Sequence, residues 1–374
     1  MAKAASDDPP LGHVMDEPGV RPPRFAPAFI GNQAAEASLA QALAGGRLHH
    51  AWLITGPKGV GKTTLAFRFA KAALSGSWGV GPDDGAPPGL GVPPDDTAAT
   101  AVEALSHPDL RFVTRTFDEK KKRMRSAIDV DAIREVTRAL RLAPAWGGRR
   151  LVIIDPAEDM NRASQNALLK TLEEPPDGAV LLLISHAPGR LAPTVRSRCR
   201  RLDLRPLPEE EVSAFLLAEG HARNEAEASQ LAVISKGSPG RAIALAAAGG
   251  AEIERKLVRF LASAVRGDWS AADLKLADEF ARPASETAFR VFFELMFDRL
   301  AATARVAATG DAVGDAIGGA APEPFSGPLG APHRWAEAWA RTREIFDDAL
   351  AVNLDRKLAI LRAGAEVGAA ARAG

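Results

Sequence analysis

The sequence is short of several things, and each shortage excludes something. Its 374 residues include one cysteine, Cys199. A single thiol makes no disulfide framework and no cysteine metal site, so no zinc is expected and a reducing compartment fits. Lys plus Arg number 47 and so do Asp plus Glu, leaving no net charge. A protein whose whole surface coats nucleic acid is usually more basic, so contact with DNA should be local or shared with partners. No run of about twenty apolar residues occurs, and no membrane span is expected. The N-terminus carries acids and prolines but no apolar signal core, which fits a cytoplasmic protein. Tyrosine is absent, and no function follows from that. The length implies two or three domains.

What is present is sharper. Gly56-Pro57-Lys58-Gly59-Val60-Gly61-Lys62-Thr63 is a complete phosphate-binding loop. Its glycines let backbone N–H groups close around phosphates, Lys62 reaches the outer phosphates, and the Thr63 hydroxyl can hold Mg2+. Ala51 to Thr55 reads as a buried strand and Thr64 to Ala73 as a helix. The loop then lies at a helix N-terminus, where the dipole and free amides favour an anion. The alternative, a glycine-rich turn that matches by chance, is the weaker reading because the full pattern falls between a strand and a helix.

Around this loop the pattern alternates. Residues 1–24 are Pro-, Asp- and Gly-rich without apolar periodicity, and read as a disordered tail. Gly31-Asn32 precedes an alanine-rich helix, with Asn32 as a candidate N-cap. Ser75 to Ser106, with its Gly/Pro-rich core Gly79 to Pro94, reads as a long loop or insertion. Asp109 to Val113 reads as a strand, Glu119 to Arg125 as a charged hairpin tip or loop, and Ile128 to Leu142 as an amphipathic helix. Leu151-Val-Ile-Ile-Asp155 and Ala179 to Ser185 are continuous apolar strands, and Arg201 to Leu204 reads as a third. Unbroken apolar strands alternating with helices predict an α/β fold: a parallel sheet covered on both faces. After Pro206 the strands cease. The organisation expected is a nucleotide-binding domain over 25–205, a helical lid over 206–250 and a helical domain over 251–374. Ala288 to Ala302 and Trp335 to Leu361 are its strongest amphipathic stretches.

Asp155, at the end of an apolar strand, is the natural second ligand for Mg2+; its alternative is a turn cap. Hydrolysis also needs a group to activate water. Many nucleotide motors carry Glu directly after this Asp, and here the position is Pro156. Glu158 and Asp159 are displaced by two and three residues and are expected to point elsewhere. The arginines of Thr194 to Arg201 are either fingers on a phosphate or a basic surface face.

The combination is more specific. Arg47 to Gly56 leads into the loop, Asn166-Ala-Leu-Leu-Lys-Thr-Leu-Glu-Glu-Pro-Pro176 follows the acidic strand, and Ser197-Arg198-Cys199 follows the next strand. With Gly237-Ser238-Pro239-Gly240, these resemble the clamp-loader branch of the AAA+ family over roughly Phe25 to Ala248. The C-terminal helices resemble the family's oligomerisation collar, through Asn353 to Leu361. The resemblance implies a P-loop AAA+ domain, a lid and a collar in a hetero-oligomer with other loader subunits. The resemblance further implies action within a DNA polymerase holoenzyme on a sliding clamp and primed DNA. ATP and Mg2+ would be held by Gly56 to Thr63, Thr64 and Asp155. Ile30 and Gly31 match the segment lining adenine, Ser185 the residue sensing the γ-phosphate, and Arg241, one residue displaced, a second sensor. Arg198 matches the arginine that reaches a neighbour's ATP. Where relatives carry a four-cysteine zinc module, the Ser75 to Ser106 stretch has no cysteine. Pro156 implies ATP bound but poorly hydrolysed. The competing reading is a hydrolytically active motor subunit of the same loader or a related DNA-dependent ATPase.

Overall fold

The computed structural model describes residues 21–372, apart from 27–28, 47, 80–88, 119–122, 147, 311–329 and 352–354. Two compact units emerge. One runs to Leu207 and includes Ser238–Gly240; the other comprises Pro208–Gly237 and the chain from Arg241.

The first unit is built on the apolar runs. Strands β1 (Ala51–Thr55), β2 (Leu110–Val113), β5 (Arg150–Ile154), β6 (Ala179–Ser185) and β7 (Arg200–Asp203) form one sheet in the order β2-β5-β6-β1-β7. Every neighbouring pair is parallel. All residues of β1 and β6 are buried, as a sheet covered on both faces requires. Alternate side chains serve opposite faces. Leu53, Val152, Ile154, Leu181 and Leu183 join Ile133, Val136 and Leu140 of α4 (Val130–Leu140) and Leu168 and Leu172 of α5 (Arg162–Glu173). On the other face Trp52, Ile54, Leu182 and Ile184 are equally buried. Helix α2 (Lys62–Leu74) packs on β5 and β6 through a row that buries Leu65, Phe67 and Phe69.

Local signals set the ends. Asp129 and Asn161 cap α4 and α5, their side-chain oxygens accepting from Ala132 and Ser164 N–H, which satisfies otherwise orphaned amides. Strands β3 (Phe117–Asp118) and β4 (Arg123–Met124) pair antiparallel on either side of the charged run; residues 119–122 lie outside the described residues.

Three local expectations are corrected. Asn32 does not cap helix α1 (Gln33–Ala44): its backbone is left-handed and its amide is used elsewhere. Its Nδ2 donates to Arg205 O at 2.9 Å and its Oδ1 accepts from Arg205 N at 2.8 Å. The side chain thus clips the start of the domain to the segment after β7. The Ser75 to Ser106 stretch is not all loop. Asp96 caps a helix, α3 (Thr97–Glu103), that buries Ala98, Ala99 and Val102 against α2, and Leu90 is 1% exposed. Order also begins before Phe25: Arg24 is buried and its Nε donates to Glu103 O at 3.0 Å. The rest of the tail, residues 1–20, lies outside the described residues.

The second unit is helical among its described residues. It contains α7 (Glu209–Ala218), α8 (Glu225–Ser235), α9 (Pro239–Ala247, whose first two residues belong to the first unit), α10 (Gly250–Arg266) and α11 (Ala271–Ala281). Then follow α12 (Glu286–Thr309), α13 (Pro332–Ala351) and α14 (Arg356–Arg372). The stretch Trp335 to Leu361 is therefore shared between two helices. Phe260, Phe280, Phe289, Phe292, Phe293, Phe297 and Phe346 form a chain of tilted and edge-on rings across α10 to α13. Such pairs add about 0.5–1.5 kcal/mol each beyond area burial. No described helix is long and apolar enough to cross a membrane.

A candidate nucleotide site and a candidate arginine finger

Strand polarity sorts the functional residues. Thr55 of β1 pairs in register with Ser185 of β6. Gly56, Asp155 and His186 consequently follow the C-terminal ends of three adjacent parallel strands, the edge where open α/β sheets bind ligands.

The loop leaves Thr55 with Gly56 at φ +145°, where an added Cβ would lie 2.5 Å from Leu204 O. Only glycine lets the backbone pass that carbonyl. Pro57 and Lys58 are exposed, Gly59 half-buried and Val60 buried. Gly61 precedes α2 without any side-chain cap, which leaves first-turn amides for an anion. Lys62 is buried and its Nζ donates to Gly56 O at 2.8 Å and to Pro57 O. Burial pushes its pKa down to about 8, against the pull of Asp155 and Glu158. Thr63 Oγ1 donates to Asp155 Oδ2 at 2.6 Å, so the two expected Mg2+ ligands are in contact. Asp155 is buried, and burial raises its pKa to about 6 despite Thr63 and Lys62. Thr64 is half-buried in the first turn of α2.

Ser185 is fully buried and its Oγ has no hydrogen-bond partner. Glu158, expected from its spacing to point away from the water-activating position, turns to the exit of β6. It sits on a short 3-10 turn, Ala157–Asp159, and is 7% exposed. Its Oε1 accepts from His186 N at 2.8 Å and from Ala187 N at 3.0 Å, while Oε2 is buried without a partner. Burial pushes Glu158 up, but Ser185, the backbone amides and His186 outweigh it and hold the carboxyl below its ordinary range. The Ser185 hydroxyl is near enough to do this without completing a hydrogen bond of good geometry. Burial, with the charges of Lys62 and Lys58, drives the His186 pKa down to about 4, against Glu158. The signal that could have found Glu158 was its place, as one of two adjacent acids, on the turn directly after the acidic strand.

The expected adenine segment is anchored from below. Gly31 has φ +59°, and a Cβ there would lie 2.5 Å from Leu207 Cγ; Ile30 beside it is half-buried. Gly240 N donates to Gly59 O at 2.8 Å, which ties the Ser238–Gly240 segment to the loop. Arg241 belongs to the helical unit, where Asp298 and Glu294 hold its guanidinium, the latter at 3.1 Å. A triphosphate fits the groups present: an uncapped helix start, a lysine resting on the loop's own carbonyls, and an unpartnered serine hydroxyl at a strand end. Among the described residues, no cluster of three or more His, Cys, Asp and Glu could hold a metal ion unaided.

Arg198 is at the other end of the sheet. It follows α6 (Pro193–Arg196) and precedes β7, in which Arg200 pairs with Trp52 and Asp203 with Thr55. The finger candidate therefore lies at the N-terminal ends of the strands and the phosphate loop at their C-terminal ends, separated by a strand of about 3.3 Å per residue. Arg198 Nη1 donates to Thr194 O at 2.9 Å and Nη2 meets Glu173 Oε1 at 2.6 Å. With His49, His50, Ser197 and Arg200 it lines an open cleft of about 590 Å3. The histidines stack at 4.5 Å, and His50 Nε2 lies 2.9 Å from Leu172 O. Cys199 donates Sγ–H to Val195 O at 3.3 Å, and burial pushes its thiol up to about 12, so it is inert at neutral pH.

Residues 31–208 match the family model described as DNA polymerase III, delta subunit. The chain is 38% identical over 198 residues to the DNA polymerase III subunit delta' of Pseudomonas aeruginosa, covering 52% of this chain and 56% of that protein. It is 34% identical over 225 residues to the delta' subunit of Escherichia coli K12, covering 60% and 63%. It is also 33% identical over 216 residues to the Escherichia coli subunit tau, covering 56% and 30%. The chain thus spans less than two thirds of the length of these relatives. The family model falls on the first unit, the one built on the five-stranded parallel sheet and the phosphate-loop motif.

Proposed function

We propose that this chain is a delta-prime-type subunit of a DNA polymerase III clamp loader. It binds MgATP at Gly56–Thr63 and Asp155, turns it over slowly, and lends Arg198 to the nucleotide of a neighbouring subunit. Sliding-clamp loading onto primed DNA is then the work of the assembled hetero-oligomer, in which the C-terminal helices form the collar.

The observation that carries this reading is the opposition of the two sites across the sheet. A side chain at the N-terminal end of β7 is on the wrong side of its own domain to reach a phosphate at the C-terminal end of β1. If Arg198 works on a phosphate, that phosphate belongs to another molecule. Its guanidinium is half-exposed and held by Glu173, itself half-exposed. A surface ion pair of this kind is worth about 0–1 kcal/mol, so a γ-phosphate displaces the glutamate at small cost. Slow turnover follows from Pro156, which gives no carboxylate at the position directly after Asp155.

Nucleotide binding is tested on the full chain alone. MgATP is expected to raise its thermal midpoint in a concentration-dependent way, and Lys62→Ala to remove that shift while the protein stays folded. Steady-state hydrolysis at a typical enzyme rate, abolished by Lys62→Ala, would sink the slow-turnover reading and favour a motor subunit.

A further inference from the structure

The turn after Asp155 contains a buried carboxylate that magnesium binding does not use. Glu158 is 7% exposed. Its Oε1 is fixed by two consecutive amides, those of His186 and Ala187, which follow Ser185 at the end of β6. Its Oε2 and the Ser185 hydroxyl are both buried and both without hydrogen-bond partners. A buried charge left half-satisfied costs stability, and a buried hydroxyl beside it repeats the cost. Of the two, at the strand end next to the phosphate loop, the carboxylate oxygen accepts only and cannot serve a phosphate, whereas the Ser185 hydroxyl can donate to one. The charge of Glu158 is felt at Lys62, Asp155 and His186, which puts the carboxyl within the phosphate end of the site.

We propose that Glu158 is a positioning residue: by holding the His186 and Ala187 amides it fixes the exit of β6, so that the Ser185 hydroxyl meets the terminal phosphate of a triphosphate and the site prefers ATP to ADP. This rests on the nucleotide-binding reading above and deepens it. The mechanism is steric and electrostatic and involves no covalent step. Without the carboxylate, two neighbouring amides lose their acceptor and the turn is free to rotate Ser185 away. The acceptor oxygen is what matters, since the amides need an oxygen and not a full charge. Glutamine keeps that oxygen in place, whereas aspartate retracts it by one methylene.

The test uses the full chain and measures the affinities of Mg-ATPγS and Mg-ADP for wild type and for Glu158→Gln, Glu158→Asp, Glu158→Ala and Ser185→Ala. Wild type is expected to prefer the triphosphate analogue. Glu158→Ala and Ser185→Ala should each lower that preference on the order of tenfold, as loss of one hydrogen bond to a charged group does. Glu158→Ala combined with Ser185→Ala, measured alongside, should lose no more than Ser185→Ala alone, because Glu158 acts through Ser185. Glu158→Gln should retain the preference. If Glu158→Ala does not fold, Glu158→Asp takes its place and is expected to lose the preference. Full preference in Glu158→Ala or Glu158→Asp, or equal loss in Glu158→Gln and Glu158→Ala, would overturn the proposal, as would equal binding of the two nucleotides by wild type. Failure of wild type to bind either nucleotide would instead remove the nucleotide-binding reading beneath it.

Discussion

Asp155 is a carboxylate buried at the candidate nucleotide site, and burial has a stability cost. Its folded pKa is raised by burial from 3.8 to about 6. An acid whose folded pKa exceeds its unfolded one costs nothing below the lower value. It costs increasingly as pH rises between the two, and costs the full amount above about 6. Two pKa units correspond to about 3 kcal/mol. We therefore expect Asp155→Asn to raise the thermal midpoint of the nucleotide-free chain at pH 7 and to flatten its fall between pH 4 and 6. The same variant should lose the Mg2+-dependent part of ATP stabilisation, because asparagine brings no charge to the metal. A lower midpoint with intact Mg2+ dependence would show that Asp155 is a structural cap. At this scale much of the site was legible. Gly56, Lys62, Thr63 and Asp155 stand in a motif whose chemistry dictates their neighbours, and Thr63 does touch Asp155. Glu158 was not legible, because side-chain direction after a strand depends on the course of a turn that spacing does not encode. Arg241 was ambiguous for a related reason: its partners, Glu294 and Asp298, are more than fifty residues away in sequence.

Elements were legible where periodicity was strong, and hidden where packing was decided by small residues. The apolar runs of β1, β5 and β6 could be nothing but buried strands, and the 3-3-4 spacing of Val130, Ile133, Val136 and Leu140 marked α4. The Gly/Pro-rich stretch was different, since its composition concealed α3 and the buried Leu90. Gly79 N donates to Gly91 O at 2.9 Å, so the chain on either side of residues 80–88 is already joined. Replacing 80–88 by a short Gly-Ser link should leave the thermal midpoint nearly unchanged, because loop-closure entropy varies slowly with length. Leu90→Ala should cost about 2–5 kcal/mol, as buried leucines do; no change in the midpoint would show that Leu90 packs on nothing that matters. A second hidden feature lies in α14. A Cβ on Gly368 would come within 2.3 Å of Ala264 O of α10, and one on Gly364 within 2.4 Å of Trp269. By helix propensity alone Gly368→Ala would stabilise by about 1 kcal/mol. We expect the reverse, a loss of stability of the helical unit seen as a lower urea midpoint, because the two helices meet backbone to backbone at this glycine.

At the scale of the first unit, the sheet separates the candidate nucleotide site from the candidate arginine finger. The phosphate loop, Asp155, Ser185 and Glu158 gather at one end of the strands, and Arg198, His49 and His50 at the other. An arginine finger contributes roughly 10³ to 10⁵ in rate, or about 4–7 kcal/mol of transition-state stabilisation at about 1.4 kcal/mol per factor of ten. A loader with several sites would show less in bulk, since its other sites keep their own arginines. Lysine in place of Arg198 should rescue poorly, because an ammonium lacks the planar fork that matches a phosphate. The most direct measurement is made on a loader reconstituted from all its subunits, carrying wild type, Arg198→Ala or Arg198→Lys in this chain. DNA-stimulated ATP hydrolysis and clamp loading are then compared at equal assembly. The account predicts intact assembly with both activities reduced in Arg198→Ala and little recovery in Arg198→Lys. Full activity in the assembled Arg198→Ala complex would contradict it and leave Arg198 as a surface charge paired with Glu173.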